Sequence, residues 1–389
     1  MGLRNQPGII GCSIRPVITS RDRSLEEVIY DTGQLALKDA GLGIEDIDGI
    51  VVAANDQFDG RSISVMMASG PTGGVDRDIM STPSASEHAF ILGALRVATG
   101  QFRTQLVVAW SPTEASSLPE AQRLGADPYF HRALPLDELS AHALQASAIE
   151  HAMPDARGAA ESVAKKNREQ GRQAWPDAPV QPAAGPMRWP VTPSMTSAPV
   201  TGAVAMVLAT PDFIAERGLR DVAWVDGMGW ATEASFLGDR DLSKAPALAA
   251  AAKQAYDAAG ITDPAAAFDL AEITDATPYA ELLAYEALSL CPRDQWATRA
   301  ADGSFARGGK LPVNLSGGVL TWNPVFCTGM IRIAEVANQI RGKAGRHQLA
   351  DARRGLAQAG SGFAMQYQSA IVLSKESRNT GTHAGEGSA

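Results

Sequence analysis

The sequence predicts a layered α/β fold, on three observations. Its opening elements read β-α-β, its second half repeats that order, and the stretch between loses its strands and gains prolines. The chain has 389 residues, 45% of them hydrophobic, enough for two or three domains or one large two-part domain. Gly8 to Ile14 reads as a strand. Ser24 with Glu27 three residues on forms a capping box, which predicts a helix to about Asp39 with Gly41 as its stop. Asp46 to Ala54 is a buried-strand run. Residues 55–82 read as loop with one short helix, Ser86 to Ala98 as a helix closing at Gly100, and Gln105 to Trp110 as another buried strand.

From Pro112 to Pro199 one helical piece, Asp155 to Gln173, precedes a proline-rich run that reads as a surface loop or as the cover of a cleft. Strands resume at Ala203 to Ala209 and Asp221 to Val225, followed by an alanine-rich helix from Ala245 to Ala259 stopped by Gly260. The segments LKDAGLGIEDIDGIVV and YDAAGITDPAAAFDLAEI share a texture, which suggests two related halves. The boundaries expected are 1–211 for the first half, with a loop domain at about 112–199 inserted, 212–375 for the second, and a disordered tail at 376–389.

Composition narrows the function classes. With 43 acidic against 34 basic residues and a net charge of −9, the chain is a poor general partner for nucleic acid. Cys12, Cys291 and Cys327 lie far apart without CxxC spacing, so neither a disulfide framework nor a zinc site is expected. The N-terminal apolar run is too short for a signal peptide, and no stretch of about 18 unbroken apolar residues occurs. A soluble, cytoplasmic protein with no membrane partner is the expectation.

The most informative stretch is KLPVNLSGGVLTWNPVFCTGMIRIAEVANQIRGKAG, a glycine turn followed by a long amphipathic helix opening at Gly329. It resembles the C-terminal signature of thiolases, especially the sterol-carrier-protein-like branch: N-x-S-G-G, then G-H-P, then G-A-T-G and a helix. DLAEITDATPYAELLAYEALSLC resembles that branch's D-V-A-E-x-H-D-x-F segment, PSASEHAFILGALRVATG its C-A-S-G helix, and GLAQAGSGFAMQYQSAIVLSK its final glycine-bearing strand pair. The resemblance covers about residues 7–375. It implies a thiolase-like fold: two βαβαβαββ halves in a five-layer α/β/α/β/α core, with the inserted loop domain.

The resemblance breaks at the chemistry. A thiolase uses a nucleophilic cysteine, a histidine and a second acid/base. Here the C-A-S-G position falls on Ser84, where an N-cap with Glu87 as capping-box partner competes with a nucleophile. The histidine of G-H-P is Asn323, able to donate to an oxyanion but not to shuttle a proton, and Trp322 replaces the preceding glycine. The H-D-x-F histidine is missing, and no cysteine accompanies Gly360 to Gly362. Cys327 reads as a replacement for a small residue.

The candidate catalytic residues are therefore Asn323, Asp275, Tyr279 and Ser84, with Tyr285, Tyr367 and Glu272 nearby in sequence. Gly317, Gly318, Trp322, Gly362 and His88, one helical turn after Ser84, are the candidate substrate contacts. No metal and no cofactor are expected. A coenzyme A thioester would be the substrate.

Two functions fit these residues: non-thiolytic carbon–carbon chemistry, of retro-aldol type on a β-hydroxyacyl-CoA, or a catalytically silent subunit beside an active thiolase-like chain. The resemblance also implies a homodimer or a heterodimer with a thiolase-like chain, and a possible small OB-fold/zinc-ribbon partner holding part of the CoA.

Overall fold

Among the described residues nine strands occur, in the order β1 (Gly8–Arg15), β2 (Gly49–Ala53), β3 (Asp78–Thr82), β4 (Thr104–Ser111), β5 (Gly202–Ala209), β6 (Ala223–Thr232), β7 (Leu270–Ile273), β8 (Arg354–Ser361) and β9 (Tyr367–Ser374). The computed structural model describes residues 5–15, 23–83, 85–113, 117–177 and 187–378. The expected tail therefore lies outside the described residues from 379 onward.

In the first half, α1 (Leu25–Ala40) links β1 to β2. It carries the predicted capping box at Ser24 and Glu27, and Gly41 closes it at φ +70°. Two short helices, α2 (Asp56–Asp59) and α3 (Ser64–Ser69), precede β3, and α4 (Ser86–Ala98) leads to β4. The loop domain holds α5 (Leu118–Gly125), α6 (Glu138–Ala152) and α7 (Ala156–Ala174). Short α8 (Pro211–Glu216) follows β5, and α9 (Pro246–Ala259) with α10 (Pro264–Ala267) connects β6 to β7. Then come α11 (Pro278–Ala287), α12 (Trp296–Ala301) and α13 (Thr328–Arg341).

The strand order is β3-β2-β4-β5-β1-β6-β9-β8-β7. It is the same half-sheet read twice outward from the centre: β1, β5, β4, β2, β3 on one side and β6, β9, β8, β7 on the other. The fifth strand of the second half has shrunk to a single parallel bridge between Ala271 and Val313. Ala271 N–H donates to Pro312 O at 3.0 Å and Asn314 N–H to Ala271 O at 2.9 Å.

Strand faces sort into layers by their two-residue period. Ile50 and Val52 pack with α1, while Val51 and Ala53 join Phe90 of α4 and Met330 of α13. Ala357 and Leu373 enter that same central layer from the other half-sheet. Leu356 and Val372 face outward against Leu248 and Ala252 of α9. The layers are thus α1, half-sheet, α4 with α13, half-sheet, and α9 with α11. All eight residues of β4 and of β5 are buried, as strands covered on both faces require.

Several elements differ from the sequence reading. β3 and α6 were not expected, because β3 is mostly exposed and the small, evenly spread side chains of α6 mark no single apolar face. β6 runs to Thr232 rather than Val225. Gly227 and Gly229 let α9 lie directly on it, since a Cβ there would sit 2.1 Å from Ala255 O and 2.0 Å from Ala251 O. The loop domain packs Ile149 and Val163 against Leu282 and Leu283 of α11, so the insertion from the first half rests on the second.

Candidate functional site

A cleft of about 590 Å³ opens where the starts of α4 and α13, the β8–β9 turn and the loop domain meet. Two helix N-termini converge at its floor, where uncompensated N–H groups favour negative charge. They are tied together: Ser86 N–H donates to Phe326 O at 3.1 Å, and Met330 N–H to Ser86 Oγ at 3.0 Å.

The expected capping role of Glu87 is overturned. Ala85 stands at the N-cap of α4, and no side chain among the described residues caps this helix. Glu87, 1% exposed, accepts instead from Ser361 Oγ at 2.9 Å, while its Oε2 has no hydrogen-bond partner among the described residues. Gly329 makes room for it, since a Cβ there would fall 2.3 Å from Oε2.

Of the residues named from the sequence, His88, Asn323, Gly362 and Tyr367 line this cleft. His88 is half-buried, its Nδ1 lacks a partner among the described residues, and its ring meets Tyr367 edge-on at 6.1 Å. The backbone of Asn323 is held by Val200 N–H, which donates to its carbonyl at 3.0 Å. Gly362 has φ +76° and starts a turn in which Ala364 and Met365 are also left-handed, at φ +47° and +58°. Such conformations in non-glycine residues need outside support. Arg240 provides it, donating to Phe363 O at 2.8 Å and Ala364 O at 2.7 Å.

The other candidates lie elsewhere. Asp275 is fully buried and turned away from the cleft, although its neighbours Thr274 and Ala276 line it. Its carboxylate accepts from Val319 N–H at 2.6 Å and Asn167 Nδ2 at 2.7 Å. Burial, and then the charge of Glu281, push its pKa up to about 7. Gly317 and Gly318 do not reach the cleft. A Cβ at Gly317 would lie 2.3 Å from Gly171 Cα of α7, and one at Gly318 2.1 Å from Asp275 Oδ1, so these glycines serve close packing.

Trp322 is in the central core, 1% exposed, edge-on to Trp175 at 5.7 Å. The Tyr279 hydroxyl bonds Glu150 of the loop domain, and burial raises its pKa further. Ser84 lies outside the described residues.

Beneath the 314–318 turn runs a buried polar network. Asn314, left-handed at φ +56°, accepts from Ile273 N–H at 2.7 Å and donates to Glu281 at 2.7 Å. Ser316 donates through its N–H and its hydroxyl to Glu272, at 3.0 Å and 2.6 Å. Arg332 closes the set at 2.7 Å from Glu272.

None of the three cysteines lines the cleft, and all are free and buried. Cys327 is fully buried with its thiol toward Gly202 O, and burial holds its pKa well above the usual thiol range. Burial likewise lifts Cys12 and Cys291 to about 11. Among the described residues no group of His, Cys, Asp and Glu could hold a metal ion, and no helix is long and apolar enough to cross a membrane.

The sequence reading missed Ser361 and Glu87 as partners, and also His131 and Glu138 of the loop domain, which line the cleft's outer wall. Glu87 had a signal: a carboxylate stands where the resembled motif has glycine. The loop-domain residues had none.

Residues 230–375 match the family of thiolase C-terminal domain-like proteins. Over that segment the chain is similar to thiolase C-terminal domains. Sterol carrier protein 2 of Homo sapiens is 34% identical over 163 residues, 39% of this chain and 28% of the human protein. An acetyl-CoA acetyltransferase of Methanothermobacter thermautotrophicus is 30% identical over 160 residues, 41% of each chain. The matched segment thus spans less than a third of the human sterol carrier protein.

Among solved structures, the Ltp2-ChsH2(DUF35) aldolase superposes with a TM-score of 0.78 at 21% identity, covering 96% of this chain and 98% of that one. The SCP2-thiolase like protein type 1 from Mycobacterium smegmatis gives 0.68 at 18%, covering 97% and 79%. These likenesses establish the thiolase-like α/β fold.

Proposed function

We propose that this thiolase-like chain cleaves a β-hydroxyacyl-CoA by a retro-aldol reaction. The observation that carries this reading is a cleft at the meeting of two helix N-termini with no cysteine in its wall. Without a thiolate no acyl-enzyme forms, so CoA-dependent thiolysis has no nucleophile. A retro-aldol cleavage needs only a base and an oxyanion site. The β-hydroxyl loses its proton, its electron pair becomes the C=O bond of a ketone or aldehyde, and the Cα–Cβ pair passes to a thioester enolate. That enolate then takes a proton at Cα and leaves as a shorter acyl-CoA.

The Asn323 carboxamide would donate to the enolate oxygen, and His88, Tyr367 and Ser361 are among the ionisable or hydroxylic groups lining the cleft. The name of one structural neighbour, an aldolase of two proteins, supports the same chemistry and a heteromeric assembly.

The test is incubation of the full chain, purified with whatever co-purifies, with β-hydroxyacyl-CoA and separately with β-ketoacyl-CoA. Release of a carbonyl product and a shorter acyl-CoA without added CoA is the expected result. CoA-dependent thiolysis would overturn the proposal. No turnover, together with acylation of a co-purified chain's cysteine, would instead make this chain a silent subunit.

A further inference from the structure

We propose that Ser361 and Glu87 form a proton relay in which Ser361 is catalytic and Glu87 is its positioning carboxylate, a reading that deepens the retro-aldol proposal and rests on it. Glu87 is 1% exposed, yet no Lys, Arg or His among the described residues pairs with it. A buried carboxylate with so little compensation is expensive, and it does no structural duty as a cap. Its one hydrogen bond among the described residues, from Ser361 Oγ at 2.9 Å, leads to a side chain on the cleft wall. Its other oxygen lies against the start of α13, where Gly329 leaves space and the helix dipole favours the negative charge. The carboxylate is thus held behind the hydroxyl it would activate.

The relay conserves protons. As the β-hydroxyl proton moves to Ser361 Oγ, the serine's own proton passes to Glu87 Oε1. The Cα–Cβ bond breaks with its electrons on Cα. Glu87 then returns its proton to Ser361, which gives one to Cα, restoring both groups. The substrate's hydroxyl proton has been replaced by a new Cα–H bond, and no outside acid is consumed.

The last step can be read without cleavage, as exchange of the Cα protons of a saturated acyl-CoA with solvent deuterium, followed by NMR. The full-length wild type is expected to catalyse exchange, and Ser361→Ala and Glu87→Gln to slow it by about 100-fold, with Ser361→Thr retaining part of the rate. Thermal unfolding serves as the folding control. Should Glu87→Gln fail to fold, Ser361→Ala on the cleft wall decides alone. Exchange within threefold of wild type in Ser361→Ala, or none in wild type, overturns the relay. Exchange that depends on Ser361 in a protein that cleaves no β-hydroxyacyl-CoA keeps the relay and overturns the retro-aldol reading.

Discussion

The turn at residues 314–318 and the turn at 361–367 both carry left-handed glycines, yet they direct their polar groups oppositely. The first turns Asn314 and Ser316 inward, onto Glu281 and Glu272, and presses its glycines against α7 and Asp275. The second leaves Ser361, Gly362 and Tyr367 facing the cleft and depends on Arg240 to hold its backbone. A glycine turn can therefore be kept for close packing, while the other turn keeps its polar side chains toward open space.

The contrast can be broken by mutation. Arg332→Ala strips the buried Glu272 of its cation beneath the first turn and is expected to cost about 3–5 kcal/mol in denaturant unfolding, a size set by an uncompensated buried charge. A loss under about 1 kcal/mol would mean that the network does not support the turn. Gly318→Ala adds left-handed strain and a clash with Asp275, together about 2–4 kcal/mol. Gly362→Ala, whose nearest contact is 3.0 Å from Tyr367, should cost only about 1–2 kcal/mol. It should lower turnover more than Gly318→Ala does. Equal stability losses, or the reverse order in activity, would erase the distinction between the turns. Smallest of all, Tyr279→Phe removes the hydrogen bond to Glu150, for about 1 kcal/mol, with cleavage within twofold of wild type. A large rate loss there would return Tyr279 to the site.

Most of the fold was legible because its signals are local: the Ser24–Glu27 cap, Gly41 and Gly260 as helix stops, and buried runs at β2, β4 and β5. β3 was not, since its exposed face carries no buried-strand pattern. At the site, His88, Asn323 and Gly362 were found through their motifs. Asp275 and Tyr279 were candidates because they lie in the DLAEITDATPYAELL motif segment, but sequence does not say toward which side each residue turns. Gly317 and Gly318 were read as contacts to a ligand when what approaches them is α7 and a carboxylate. Glu87 was mistaken for a cap because its spacing from Ser84 suits one, whereas its partner Ser361 is 274 residues distant.

The pairing of β1 with β5 has a consequence for how the chain is made. Gly8 bonds opposite Ala209, so the first strand leaves the ribosome long before its neighbour exists, and the whole loop domain must be translated in between. The β1–β6 contact, Gly8 to Trp224 and Ile9 to Ala223, comes later still. The cleft wall waits longest, for Tyr367. During synthesis the apolar N-terminal strand therefore depends on α1 or on chaperones for cover. A nascent chain stalled before residue 202 should expose it to proteases that cannot cut the finished protein.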